Sequence, residues 1–221
     1  MDNKSLEFKD YLKIALLFGL VYATLPIIFT EITWDSIADK IGLTGLLREL
    51  IGSFLRAALL EELFKFFAFR QADKRYKFKN EREFIWGAGV IGLAYAIVEK
   101  VVTGNPINII LGIVFPMHLL WQMNQGKHYF RYLKAKENND KKKAKKEFFM
   151  ATFLIFIIHG CWDAVISVIS YFLNESSKIK GADFIGAILF VALIAFGITY
   201  IVISIKRLRQ SLKNNPKPKK A

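Results

Sequence analysis

Residues 184–205 read FIGAILFVALIAFGITYIVISI, an apolar stretch without a single charged side chain. About 20 helical residues cross the hydrocarbon core of a bilayer, which is roughly 30 Å thick. Because lipid offers no partner to backbone N–H and C=O groups, such a segment must be helical. The stretch therefore predicts a membrane-spanning helix and assigns the chain to the helical membrane proteins.

Five further stretches are predicted to span the membrane. The turn signal Gly104-Asn105-Pro106 divides the central apolar region into two helices. One of the spans is apolar overall although it carries several charged side chains. The predicted spans are 11–30, 46–69, 84–102, 108–125, 148–173 and 184–205. The sequence thus predicts an all-α fold, a polytopic bundle of about six transmembrane helices.

Basic residues are segregated from these apolar runs. The net charge is +13, and most of the 32 Lys and Arg residues lie at the N-terminus, in 70–82, in 127–147 and after residue 205. With six spans all four segments face one side, which the positive-inside rule assigns to the cytoplasm. Without a span at 46–69, segments 70–82 and 127–147 would face opposite sides. We therefore expect a multi-pass cell-membrane protein with both termini in the cytoplasm.

The position of the basic residues also indicates the partners. They flank the spans, where topology and the attraction of anionic lipid headgroups account for them. We expect a bilayer with anionic headgroups as a partner and no nucleic acid. The length of 221 residues indicates one domain. We expect it to cover 1–205, followed by a disordered basic tail at 206–221.

Several ionisable residues fall inside the predicted spans, and seven of them are considered for the candidate site. Such a group costs about 2.5–3.5 kcal/mol on insertion scales, so each is a candidate functional residue. They are Glu61, Glu62, Lys65, Glu99, His118, His159 and Asp163. Internal ion pairs that hold helices together are the alternative interpretation. Carboxylates beside two imidazoles, however, suit the activation of water.

Three pairs of polar residues lie four positions apart, which places the members of each pair on one helix face. The pairs are Glu61 and Lys65, His118 and Gln122, and His159 and Asp163. We expect Glu61 and Lys65 to form an ion pair. We expect Asp163 to orient the imidazole of His159.

The depth of these residues follows from the helical rise of about 1.5 Å per residue. Counted from the nearest cytoplasmic charge, Glu62, His118 and His159 lie roughly 12, 14 and 18 Å deep. We expect these three side chains to meet. Glu99 lies roughly 24 Å deep, which is too deep for the group unless its helix begins outside the lipid.

Four short motifs resemble those of the PrsW-type intramembrane proteases. Residues 61–65 read EELFK and resemble the family's EExxK motif. Residues 95–99, YAIVE, are similar to its FAxxE segment with Tyr in place of Phe. Residues 118–121, HLLW, and 159–163, HGCWD, look like its two later histidine motifs. The order of the four motifs and their placement on helices both match.

Two departures separate the chain from a related group, the CAAX prenyl endopeptidases and bacteriocin-immunity proteins. That group carries EExxxR followed by FxxxH, whereas here Phe66 replaces the Arg and Glu99 replaces the His. The chain also departs from the PrsW pattern, because Lys100 follows Glu99 where the family usually has Asn.

The resemblance implies an endopeptidase that cleaves a single-span membrane protein such as an anti-sigma factor, with 1–205 as its catalytic domain. Its implied catalytic residues are Glu61, Glu62, Glu99, His118 and His159, supported by Lys65, Gln122 and Asp163. Glu61 or Glu62 would be the general base on a water molecule. The histidines would position that water or stabilise the oxyanion.

The metal requirement stays open at this level. The histidines do not have HExxH spacing, and the single cysteine, Cys161, excludes a Cys-rich site. Asp163 fits an orienting carboxylate better than a third ligand. We therefore expect no metal cofactor. Zn²⁺ held by Glu62, His118 and His159 is the alternative.

Two other functions use the same residues. In a proton-coupled transporter they would relay protons, but such a protein usually contains internal repeats, and the sequence shows none. An inactive scaffold or immunity protein of the same fold would contain the same residues but would catalyse no reaction.

Overall fold

The computed structural model describes residues 6–103, 116–174 and 182–214. Every regular element in this part of the chain is a helix, which confirms the all-α prediction. The first two helices are each interrupted by π-helical turns. Helix α1 comprises Phe8–Ile14, the π-helical Ala15–Leu20 and Val21–Lys40, and helix α2 comprises Gly45–Gly52, the π-helical Ser53–Leu59 and Leu60–Tyr76.

Five more helices follow in chain order. They are α3 at Glu81–Thr103, α4 at Met117–Glu137, α5 at Lys141–Ala151, α6 at Phe153–Asn174 and α7 at Ala182–Asn214. At the N-terminus of two helices, a side chain accepts a hydrogen bond from a backbone N–H of the first turn and so stabilises the helix end. Asn80 Oδ1 accepts from the Glu83 backbone N–H before α3, and Asp140 Oδ1 accepts from Lys143 N–H before α5.

Close approach of backbones sets the geometry around the centre of the bundle. A Cβ atom at Gly92 of α3 would collide with the carbonyl oxygen of His118 on α4. A Cβ atom at Gly160 of α6 would collide with the ring of Phe54 in the π-helical part of α2. Small residues at such positions let membrane helices pack tightly. They hold α3 against α4 and α6 against α2.

An aromatic cluster joins α2, α3 and α4 next to this centre. Phe69 lies with its ring centroid 5.6 Å from Tyr129 and 6.0 Å from both Phe78 and Phe84. Edge-to-face and tilted ring pairs at these distances are favourable beyond the area that they bury. The cluster therefore fixes the relative positions of the three helices.

Three described helical segments are long and apolar enough to cross a membrane: Glu81–Val102, Lys141–Phe172 and Phe184–Asn214. They correspond to the predicted spans at 84–102, 148–173 and 184–205, and they support a helical membrane protein. The number six and the side of the termini stay predictions. Part of the predicted span 108–125 and its preceding turn lie outside the described residues.

The basic segments, which were expected to form loops and a disordered tail, are largely helical. Helix α2 continues to Tyr76, α4 continues to Glu137, and α7 continues to Asn214. Residues 206–214 are thus helical rather than disordered, while 215–221 lie outside the described part. Lys and Arg are good helix formers. Leu208 in this extension is 3% exposed and packs in a cluster with Ile85, which stabilises the helix end.

The topology can be tested with reporters. With six spans and cytoplasmic termini, a reporter fused after residue 140 is expected to read as internal and one fused after residue 178 as external. Alkaline phosphatase and a fluorescent protein, which are active on opposite sides, provide the measurement. The opposite pair of readings would contradict the six-span topology.

Candidate active site

Four helices bring all eight predicted site residues into one connected cluster. Helix α2 contributes two carboxylates and a lysine, and the three other helices add carboxylates, imidazoles and an amide. The members are Glu61, Glu62 and Lys65 on α2, Glu99 on α3, His118 and Gln122 on α4, and His159 and Asp163 on α6.

Lys65 lies at the centre of the cluster and is fully buried. Its Nζ donates to Glu62 Oε1 at 2.9 Å and to Glu61 Oε2 at 3.2 Å, which confirms the predicted pairing on one helix. The same atom lies 3.0 Å from His118 Nδ1 and 4.1 Å from the centroid of the Tyr95 ring. A buried ammonium is tolerated when it is paired and hydrogen-bonded. Lys65 thus ties α2 to α3 and α4.

Both carboxylate oxygens of Glu62 are engaged across helix boundaries. Oε1 lies 2.9 Å from His159 Nδ1, and Oε2 accepts a hydrogen bond of 2.8 Å from Gln122 Nε2. Gln122 therefore donates its hydrogen bond to Glu62 rather than to His118, four residues before it. Fixing Nδ1 turns His159 Nε2 towards Asp163 Oδ2 at 3.1 Å and Glu61 Oε2 at 3.9 Å.

Glu99 joins the cluster despite its predicted depth. Its Oε2 lies 2.8 Å from His118 Nε2, and its Oε1 accepts from Lys100 Nζ at 2.8 Å. The depth estimate was misleading because the helices of Glu62 and His118 continue past the charges from which depth was counted, so those charges do not mark helix ends. Lys100 pairs with one carboxylate oxygen and leaves the other to His118.

Aromatic side chains enclose the imidazoles. The ring of Trp121 is 4.5 Å from that of His159, and the two imidazole rings are 5.1 Å apart. Among the described residues, the hydroxyl of Tyr95, the indole N–H of Trp121 and the Oε1 of Gln122 are buried without a hydrogen-bond partner. Native proteins rarely leave such groups unsatisfied, and exceptions often mark sites for water or substrate.

The family of this chain follows from a comparison with known protein families. The sequence model described as PrsW family intramembrane metalloprotease matches residues 7–199, which is most of the chain. The chain belongs to the PrsW family. Searches among curated proteins and among solved structures gave no significant match.

This match confirms the resemblance to the PrsW family that the four motifs indicated. The family consists of intramembrane metalloproteases, so the chain is classed as a hydrolase that acts on peptide bonds in a membrane. This assignment favours an enzyme over the transporter and the inactive scaffold. Because the family is one of metalloproteases, a metal ion is plausible at this site, in contrast to the metal-free expectation.

The donor atoms of the cluster fit a metal ion. Glu61, His118 and His159 each offer one ligand atom, and these atoms lie within 4.8 Å of one another. Carboxylate and imidazole donors of this kind bind Zn²⁺. The sequence analysis named Glu62 as the carboxylate ligand. In the structure Glu62 is instead engaged by its neighbours, and Glu61 takes the place in the group.

The charges of the PrsW-family cluster also fit a divalent cation. With neutral imidazoles, its carboxylates outnumber its ammonium groups by two. The carboxylates are those of Glu61, Glu62, Glu99 and Asp163, and the ammonium groups are those of Lys65 and Lys100. Both ring nitrogens of His118 already have partners, Lys65 and Glu99. Ligation by His118 therefore requires one of these contacts to lengthen.

Two residues of this site were not assigned a role from the sequence. Tyr95 and Trp121 are aromatic residues within predicted helices, and such residues ordinarily serve as packing. The three-residue spacing of Trp121 from His118, which places both on roughly one face, was the signal that could have identified it. Tyr95 lies four residues before Glu99 and carried the same kind of signal.

Proposed function

We propose that the chain cleaves a single-span membrane protein, such as an anti-sigma factor, by water activated at Glu61, His118 and His159. The observation that carries the proposal is the grouping of one carboxylate and two imidazoles within 4.8 Å on separate helices of a PrsW-family membrane protein. The catalytic domain is assigned to residues 1–205 and the enzyme to the cell membrane as a multi-pass protein.

Glu61 is the better general base of the two neighbouring glutamates. Glu62 is fixed by Lys65, His159 and Gln122, whereas the contacts of Glu61 are longer, at 3.2 Å to Lys65 and 3.9 Å to His159. A carboxylate that is less tightly held can approach a water molecule and take its proton. Glu61 accepts this proton, while Glu62 positions the imidazole of His159.

The transition state needs donors for the negative charge that develops on the carbonyl oxygen. The indole N–H of Trp121 and the hydroxyl of Tyr95 are buried beside the imidazoles and point to this role. Preorganised donors in a site that excludes water are usually the largest single contribution to such catalysis. The ammonium group of Lys65 contacts both the Tyr95 ring and Glu61, and it adds positive charge to the site.

Glu61, His118 and His159 are also the residues that would hold a metal ion, and with an ion bound Glu61 would act as a ligand instead of as the base. When bound, a divalent ion such as Zn²⁺ would supply Lewis-acid chemistry at this point. Glu99 and Glu62 lie behind the two imidazoles at 2.8 and 2.9 Å, which is the orienting arrangement that ligating histidines commonly have. These two carboxylates would therefore orient the imidazoles both without a metal ion and with a metal ion bound to the imidazoles.

The site is most accessible at two of its members. The side chains of Glu99 and Asp163 are 23% and 25% exposed, whereas those of Glu62, Lys65 and His159 are at most 5% exposed. We infer that the substrate segment approaches from the side of Glu99 and Asp163. A single-span segment must partly unfold there, because a helical backbone hides its carbonyl groups from attack.

Metal content tests the chemistry of the site. The purified chain is expected to retain one divalent metal ion, and Glu61→Gln and His159→Ala are expected to lose it, because each removes a ligand. His128→Ala is the matched control, since His128 lies on α4 but contacts Glu147 outside the site. Elemental mass spectrometry after dialysis gives the metal per chain.

Cleavage of a single-span reporter, measured on the same samples, completes the test. Chelation is expected to stop cleavage, and readdition of Zn²⁺ is expected to restore it. A chain that carries no metal and cleaves at full rate in chelator would contradict the metal site and leave Glu61 as base of a metal-free reaction.

A further inference from the structure

A second polar cavity lies between α4 and α7, away from the active site. It has a volume of about 360 Å³, and basic and neutral donor side chains form most of its wall. They include Lys127, His128, Arg131, Arg207, Gln210 and Ser211. Lys127 follows His118 by nine residues on α4, which is roughly 14 Å along the helix axis. The cavity is therefore separate from the candidate active site.

Lys127 is buried in this cavity although it carries a charge. The residue is only 4% exposed, and its Nζ has one hydrogen bond, a long one of 3.4 Å to the neutral Oδ1 of Asn124. A lysine that only marks membrane topology has no need to be buried. Lys134 on the same helix is exposed and pairs with Glu137, as such a residue usually does. The burial of Lys127 therefore needs another explanation.

The carboxylates near the cavity are already engaged by other side chains. Glu81 Oε1 accepts from Arg131 Nε at 2.8 Å, and Glu147 Oε2 lies 2.6 Å from His128 Nδ1. Among the residues that the structure describes, Lys127 has no carboxylate within ion-pair distance. Arg207 likewise has none in the described ranges 6–103, 116–174 and 182–214.

The electrostatic environment of Lys127 is unfavourable to its own charge. Burial, followed by the charges of Arg131 and Arg207, lowers the pKa of Lys127 to about 8. Glu81 and Glu147 offset this lowering only in part. An anion in the cavity would compensate the excess positive charge.

The wall of the cavity is held in place by packing and hydrogen bonds. Leu208 packs in a cluster with Leu120 and Met123, which joins α7 to α4. Arg131 Nη2 donates a hydrogen bond of 3.1 Å to Ser211 Oγ across the same two helices. The two helices that carry the cationic groups are therefore held together at the cavity.

We propose that this cavity binds a phosphate group, with Lys127, Arg131 and Arg207 as cationic donors and Ser211 as a neutral donor. Arg and Lys make short, charge-assisted hydrogen bonds to phosphate oxygens. A volume of about 360 Å³ accommodates either a phospholipid headgroup or a small soluble phosphate compound. Basic pockets between membrane helices on the cytoplasmic side commonly bind headgroups of anionic lipids.

Binding to delipidated full-length chain tests the proposal. The chain in a non-ionic detergent is titrated with phosphatidylglycerol, with phosphatidylcholine, and with inorganic phosphate against chloride at equal ionic strength. Native mass spectrometry counts bound lipid, and the shift in thermal unfolding reports phosphate. Lys127→Gln and Arg207→Gln are expected to weaken binding by about tenfold or more, because each removes a charge-assisted bond.

Two exposed basic residues outside the cavity serve as matched controls. Lys136→Gln on α4 and Arg209→Gln on α7 are expected to leave the affinity within about twofold, since neither side chain lines the cavity. Arg207 is itself exposed, so its variant keeps the test valid if the buried Lys127→Gln fails to fold.

The outcomes separate the two sources of phosphate. Tight binding of phosphatidylglycerol without a response to inorganic phosphate identifies a lipid headgroup. A response to inorganic phosphate that both cavity variants lose identifies a soluble compound. The proposal is overturned if neither probe binds, if phosphatidylcholine binds as well as phosphatidylglycerol, or if cavity variants and controls bind alike.

Discussion

Glu61→Gln is expected to lower the rate of substrate cleavage by at least about 10²–10⁴-fold, the usual contribution of a general base, because it removes either that base or a metal ligand. Glutamine has nearly the same shape as glutamate but cannot accept the proton from water. The Glu61 side chain lies 3.2 Å from Lys65 and 3.9 Å from His159. The side-chain amide of glutamine fits the same space. Fragment formation by purified wild type and variant at equal concentration gives the ratio of rates.

The matched control is Glu49→Gln, because Glu49 is an exposed carboxylate on the same helix, outside the site. It is expected to cleave at the wild-type rate. Glu62→Gln should also lose most activity, since it disturbs the contact with His159 Nδ1. Circular dichroism and thermal unfolding confirm that each variant folds. A folded Glu61→Gln chain with wild-type activity would remove Glu61 from the chemistry.

Lys65→Met is expected to destabilise the chain by about 3–5 kcal/mol, the cost of breaking a buried ion pair by removing one partner. Methionine fills a similar volume but leaves Glu61 and Glu62 without the ammonium group that both contact. Lys65 is fully buried, so solvent does not screen the loss. The free energy of unfolding in mixed detergent micelles is the measurement.

A second variant separates charge from packing. Lys65→Met combined with Glu62→Gln removes one carboxylate along with the cation and is expected to recover a large part of the lost stability. Lys74→Met, an exposed lysine on the same helix, is expected to change the stability by less than about 0.5 kcal/mol. Equal stability of Lys65→Met and wild type would show that the ammonium group does not hold the carboxylates together.

The sequence predicted which residues belong to the site better than it predicted their partners. Spacing along one helix places Lys65 beside Glu61 and Asp163 beside His159, and both pairs are present. Spacing contains no information about which helices are neighbours. Spacing therefore placed Gln122 on the same helix face as His118. It could not show that Gln122 donates a hydrogen bond to Glu62 on α2.

The same limit explains the metal ligands and the depth of Glu99. Only the packing of α6 against α2 shows that His159 engages Glu62, which leaves Glu61 as the carboxylate of the metal group. Depth counted from flanking charges assumes that helices end at the membrane surface. Here α2 and α4 continue well past the predicted spans, so the count made Glu62 and His118 too shallow relative to Glu99.

The helical nature and the apolar spans were more predictable, because both follow from composition along the chain. A stretch such as 184–205 has only one stable form in lipid. The extension of α7 to Asn214 depends on the burial of Leu208 against other helices, which a local pattern of charge does not reveal.

The role of Glu61, His118 and His159 as the catalytic centre of an intramembrane protease is tested most directly by mapping the cut. The purified chain is reconstituted in phospholipid vesicles with single-span membrane proteins from the cells that express it, and the fragments are sequenced by mass spectrometry. We expect new termini within or at the border of a membrane-spanning segment with wild type, and none with Glu61→Gln, His118→Ala or His159→Ala. Fragments formed equally by wild type and all three variants, or no fragments from any single-span protein, would contradict this role.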